Sequence, residues 1–249
     1  MDLNADLGEG FGIWRLGDDE ALLDLVTSAN VACGFHGGDP STMRRVCAAA
    51  VERGVAVGAQ VGYRDLAGFG RRHIAYGFDE LRDDVTYQLG ALDAFCRPSR
   101  TRVRYLKPHG ALYHAAATDE VQAAALVAAV SGYDHELPIL CAPGSTLAQL
   151  AVGAGLRVVA EGFADRGYLP NGALVPRTAP GALVTDPEEV AVRAVRMATE
   201  RTVVAVDGTV VPCPVSSICL HGDSPGAVAS AALVRAALID AGVTPIPFA

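Results

Sequence analysis

Residues 39–59, Asp39-Pro40-Ser41-Thr42-Met43-Arg44-Arg45-Val46-Cys47-Ala48-Ala49-Ala50-Val51-Glu52-Arg53-Gly54-Val55-Ala56-Val57-Gly58-Ala59, hold one complete turn of the pattern from which the fold is read. Asp39 is a favoured N-cap and Pro40 suits the first helical position, where its missing N–H costs nothing. Met43, Val46, Cys47, Ala50 and Val51 then recur with helical spacing and form one apolar stripe. Gly54 supplies a left-handed cap, and Val55–Ala59 reads as a buried strand.

The same unit recurs on both sides. Strands are expected at Asp2–Asp6, Ala29–Ala32, Arg104–Lys107, Pro138–Cys141, Arg157–Glu161 and Ser217–His221. Helices are expected over Thr118–Val130, after the Ser145 cap, from Asp186-Pro187 onward, and from Ser224-Pro225 to near the end. Val203–Val211, with Asp207-Gly208 at its turn, reads as an inserted hairpin. Seven strands, each followed by helical sequence, imply a parallel sheet with right-handed crossovers. The expectation is α/β: a single seven-stranded (β/α) barrel domain over residues 1–249, with an open doubly wound sheet as the alternative.

Composition narrows the function. The chain has 249 residues, 51% hydrophobic and 19% charged, with a mean hydropathy of +0.27, which excludes a disordered chain. Only 20 Lys and Arg stand against 28 Asp and Glu, a net charge of −8, so a nucleic-acid partner is not expected. No apolar run approaches membrane-spanning length, and MDLNADLGEG lacks the basic-then-apolar start of a secretory signal. Six scattered cysteines without a CxxC pair read as reduced thiols, which points to the cytoplasm. Self-association is left open.

Polar residues gather after the strands: Asp6 and Glu9, His36 and Asp39, Gln60 and Arg64, Lys107 and His109, Glu161 with Asp165 and Arg166, and His221 with Asp223. In a barrel these ends open on one face, where such folds carry their sites. Asp39 and Asp223 also suit helix capping, and Arg64, Arg71 and Arg72 suit surface ion pairs. Gly8–Gly12 lacks the GxGxxG spacing, and no P-loop or GxSxG elbow occurs.

DLNADLGEGFG, SANVACGFHGGDP, GYRDLAGFGRR, KPHGALYH, FADRGYLPNGALVPR and CLHGDSPGAV together resemble the LamB/YcsF family, from residue 2 to about residue 240. The resemblance implies a glycoside hydrolase/deacetylase-like barrel within an ATP-dependent 5-oxoprolinase, which opens 5-oxo-L-proline to L-glutamate. ATP would be a co-substrate of the assembled enzyme, and subunits B and C its partners. One departure is Gln60, where the family usually has His. An amide is a poor transition-metal ligand, so the expectation runs against a bound divalent metal; Asp6 and His36 are the ligands if one binds.

A lactam is an unactivated amide, so opening it needs a cation for phosphate or oxyanion, a base for water and a clamp on the carboxylate. Asp6, Glu9, His36, Lys107 and His109 are the catalytic candidates, with Lys107 the cation and His109 or His36 the base. Asn4, Gln60, Glu161, Asp165, His221 and Asp223 are the further substrate contacts, with Arg166 or Arg72 as the clamp. The alternatives are a metal-dependent deacetylase of N-acetylated sugars and a non-catalytic substrate-binding subunit.

Overall fold

A computed structural model describes residues 1–223 and 226–249. In chain order it runs β1 (Asp2–Leu7), α1 (Asp19–Leu23), β2 (Ser28–Ala32), α2 (Pro40–Glu52), β3 (Ala56–Val61), α3 (Phe78–Cys96) and β4 (Tyr105–Pro108). Then come α4 (Gly110–Ala116), α5 (Glu120–Tyr133), β5 (Ile139–Cys141), α6 (Thr146–Gly153), β6 (Val158–Phe163) and α7 (Pro187–Thr199). The chain continues with β7 (Thr202–Val204), β8 (Val210–Pro212), β9 (Ser217–Leu220) and α8 (Ala227–Asp240). Strands β1 to β6 and β9 close into a parallel barrel, and β7 with β8 forms the antiparallel hairpin. The expected barrel is therefore what the chain forms.

Local chemistry explains the elements. Asp39 caps α2 by accepting from the amides of Ser41 and Thr42, and Gly54 stands at φ +68° just beyond its end. Helix α5 starts later than expected, because Asp119 caps it; α4, which the sequence reading did not resolve, fills the space before it. Strand β3 runs on to Val61, so Gln60 lies inside the barrel wall, in register with Lys107. The Ser224-Pro225 start expected for the last helix lies outside the described residues. All six cysteines are buried and free. No helix among the described residues is long and apolar enough to cross a membrane.

Alternation on the strands divides the molecule into two environments. Leu3, Ala5 and Leu7 of β1 join the large apolar layer between barrel and helices. Asp2, Asn4 and Asp6 point the other way, into the barrel. Barrel interiors are usually filled by branched apolar side chains, but this one holds a stack of polar groups. Asp2 accepts from Thr27, Ser28 and Ser217; Asn4 donates to Ser217 (2.7 Å) and accepts from Asn30 (2.6 Å). Tyr105 donates to Asn30 at 2.7 Å. Below it, Leu140, Val159 and Phe248 seal the end of the barrel at which the strands begin. The opposite end is left open to ligands.

Tyr105 fits inside only because Gly58 faces it: a Cβ on Gly58 would lie 2.2 Å from the ring. Gly58→Ala should cost about 1–3 kcal/mol through overpacking, read by urea denaturation. That cost should shrink in a Tyr105→Leu background. An unchanged unfolding midpoint for Gly58→Ala would place the ring elsewhere.

Candidate active site

At the open end the polar stack finishes in an ammonium between two carboxylates. Lys107 Nζ lies 3.0 Å from Asp6 Oδ1 and 2.8 Å from Glu161 Oε1, with Cys219 Sγ at 3.0 Å. Burial alone would discharge the amine, but Asp6, Cys219 and Glu161 outweigh it and hold its pKa well above the ordinary lysine value. Burial likewise opposes ionisation of Asp6, yet Lys107, then His221 and His109, hold that carboxyl below the usual range. Glu161 is raised by burial, against the pull of Lys107.

Two imidazoles lie beside this ion cluster. His36 and His109 stack with centroids 3.8 Å apart, and Phe69 meets both edge-on. Glycines make the room: a Cβ on Gly62 would lie 2.5 Å from His36 Nδ1, and one on Gly70 2.7 Å from the His36 Cβ. Burial pulls His36 down to about 4 and takes His109 well below the ordinary histidine value, so both rings are neutral at pH 7. Nδ1 of His109 is buried next to Gly70 and has no partner among the described residues. Glu9 is raised well above its ordinary value by burial and by Asp6.

Asp6, Lys107, His109, Arg166 and His221 line one cavity, together with Phe163 and Tyr113, with about 380 Å³ of empty space including its opening to solvent. Around them the expected residues divide by depth. Glu9, His36, Gln60 and Glu161 form the wall behind, and Asn4 sits one layer below, occupied with Ser217 and Asn30. Asp165 accepts from the His221 backbone and from its Nδ1 (2.8 Å), so it orients that ring. Arg72 is not at the cavity: it is exposed and pairs with Asp65, whose carboxylate also caps the Gly68 amide. Asp223 pairs with Arg71 at 2.6 Å. Arg71, Tyr113, His114 and Arg177, which the sequence reading does not assign to the site, also line it. Their signal was present, since they fall in the glycine-rich blocks GYRDLAGFGRR, FADRGYLPNGALVPR and KPHGALYH.

The LamB/YcsF family matches residues 1–249. The chain belongs to the LamB/YcsF family. A relative from Mycolicibacterium gilvum, named as the A subunit of 5-oxoprolinase, is 56% identical over 244 residues, covering 98% of this chain and 97% of that protein. The lactam utilization protein from Thermus thermophilus is 46% identical with a TM-score of 0.95, covering 100% of this chain and 99% of that one. A family 4 carbohydrate esterase from Streptomyces lividans, at 12% identity and a TM-score of 0.51, shares the fold alone; it covers 100% of this chain and 92% of its own.

The resemblance drawn from the sequence raised a divalent metal, and the side chains can be tested for it. Asp6, one of the two ligands expected from sequence, is held by Lys107 and Asn30. The group with ligand-like spacing is instead Glu9, His36 and His109, each offering an atom within 4.8 Å of the others. The His36 nitrogen that faces Glu9, Nε2, lies 3.2 Å from Gln60 Oε1, and in the tautomer that donates to that amide oxygen it has no lone pair for a metal. In that tautomer the set does not fit a resident cation. Zn²⁺ or Mn²⁺ should therefore leave the melting temperature of the wild-type chain unchanged, and Gln60→His should acquire a metal-dependent rise. A rise in the wild type would overturn this assignment.

Proposed function

We propose that this chain is one domain over residues 1–249, a cytoplasmic hydrolase subunit of an ATP-dependent 5-oxoprolinase that opens 5-oxo-L-proline to L-glutamate with subunits B and C. The observation that carries the reading is a buried guanidinium, Arg166, and a neutral imidazole, His109, facing one small cavity above an ionised Asp6. A cyclic amide acid needs those features: a cation for its carboxylate and a base for water. The names of the relatives support the substrate class.

Arg166 is the carboxylate clamp, since a guanidinium meets a carboxylate through two parallel hydrogen bonds. His109 takes the proton of the attacking water, and the Asp6 charge favours the imidazolium that forms. His36 fixes the His109 ring by stacking, and Gln60 fixes His36. Lys107 acts beneath them by keeping Asp6 ionised. A sugar deacetylase would need a metal on Asp6 and His36, and both are already held by neighbours.

The test is 5-oxoproline-dependent glutamate formation and ATP hydrolysis by the chain alone and after reconstitution with B and C. The chain alone should turn over little, since it carries no P-loop or GxGxxG motif. In the assembled enzyme His109→Ala should lower kcat roughly 10²- to 10⁴-fold with the melting temperature nearly kept. Full activity of His109→Ala would remove it as the base, and full activity of the lone chain would place ATP use within this barrel.

A further inference from the structure

The proposed carboxylate clamp is carried on a segment that is itself held from outside the barrel. Residues 164–186 leave β6, fold over the open end and run into α7. Within the segment Gly167 N donates to the Ala182 carbonyl (3.0 Å), Val184 N to that of Asp165 (2.9 Å) and Val175 N to that of Gly167 (2.9 Å). Arg166 spans the loop so formed: Nε donates to the Ala182 carbonyl (3.0 Å) and Nη2 to that of Val175 (2.7 Å). A guanidinium has five N–H donors, so the Nη1 pair remains for the cavity that Arg166 lines.

A second arginine grips the same backbone from the helix behind it. On α7 the buried stripe is Val190, Ala191, Ala194 and Met197, so position 193 borders that stripe. Arg193 reaches across and donates through Nε to the Ala164 carbonyl (2.9 Å) and through Nη2 to the Arg166 carbonyl (2.6 Å). Ala164 and Arg166 are both buried, and buried loop carbonyls need donors; a planar fork supplies two at once. Arg193 does not line the cavity and sits instead in a groove with Asp186, Val192 and Arg196. Asp165, between the two carbonyls, has anchors of its own in the His221 amide (3.0 Å) and Nδ1 (2.8 Å). What Arg193 fixes is thus the main chain from which the Arg166 side chain departs.

We infer that Arg193 is a positioning residue for the clamp: it fixes the main chain at Arg166 and so aims the Nη1 edge of that guanidinium at the substrate carboxylate. This rests on the ring-opening reading above and adds what holds its clamp in place. Arg193 touches no substrate. Without its fork two buried carbonyls lose their donors, the loop shifts to find others, and Arg166 keeps its charge but loses its aim. The substrate carboxylate does not react, so its contact is made alike in the bound substrate and in the transition state. Its loss therefore falls on KM and not on kcat. Acting through Arg166 also means that Arg193 contributes nothing once Arg166 is gone.

Steady-state kinetics of the enzyme reassembled with subunits B and C test this on the wild type, Arg166→Ala, Arg193→Ala and the double variant. Arg166→Ala should raise KM for 5-oxoproline on the order of a hundredfold, the loss expected of a charge-assisted contact. Arg193→Ala should raise it about tenfold with kcat within about twofold. In the Arg166→Ala background the same change should leave KM within about twofold. Arg193→Lys keeps the charge but not the fork, and its KM should fall between wild type and Arg193→Ala. Where Arg193→Ala does not assemble, Arg193→Lys carries the same cycle. A rise that persists undiminished without Arg166, or a KM that neither change at Arg193 moves, overturns the proposal and leaves the clamp standing. A wild-type KM in Arg166→Ala removes the clamp and this proposal with it.

Discussion

The ammonium of Lys107, held inside the barrel between Asp6 and Glu161, is the interaction on which the rest of the site depends. A charge taken out of water is tolerated only when its partners are close and its remaining hydrogen bonds are made. Here the ammonium comes from β4 and its two carboxylates from β1 and β6, so the ion cluster ties together strands that are not adjacent. It also sets the charge beneath His109, because Lys107 does most to hold the Asp6 carboxyl below its usual range against burial.

This arrangement explains why the barrel interior is polar. Asn4 and Asn30 lie between the ion cluster and the Asp2 network, and each passes hydrogen bonds from one layer to the next. Gly58 makes room for Tyr105, which closes the layer below from the opposite wall. Removing one member leaves its neighbour with an unpaired buried group, so the column behaves as a unit. The helices outside add the apolar packing that holds the strands in register.

Much of this was legible in the chain itself. The Asp39-Pro40 start, the Gly54 stop and the repeating strand–helix unit lead to a closed parallel barrel, and the polar residues after the strands mark its open end. What was hidden is depth and direction. Gln60 and Lys107 sit within strands, so their side chains are aimed by the alternation of β3 and β4 and not by a loop. The same alternation, Asp2, Asn4 and Asp6 against Leu3, Ala5 and Leu7, was a signal of a polar interior that residue type alone does not reveal. Arg72 and Arg166 look equivalent in sequence. Asp65 takes the first to the surface, and the 164–186 segment folds the second into the wall.

The central claim is that Lys107 is the counter-ion of a carboxylate pair, and urea unfolding of Lys107→Met at neutral pH measures it most directly. The account predicts a loss of about 3–5 kcal/mol, because Asp6 and Glu161 would remain buried without a cation. It also predicts a clearly smaller loss when Asp6→Asn and Glu161→Gln are added. A Lys107→Met chain as stable as the wild type, or one that the two neutralising changes destabilise further, would contradict it.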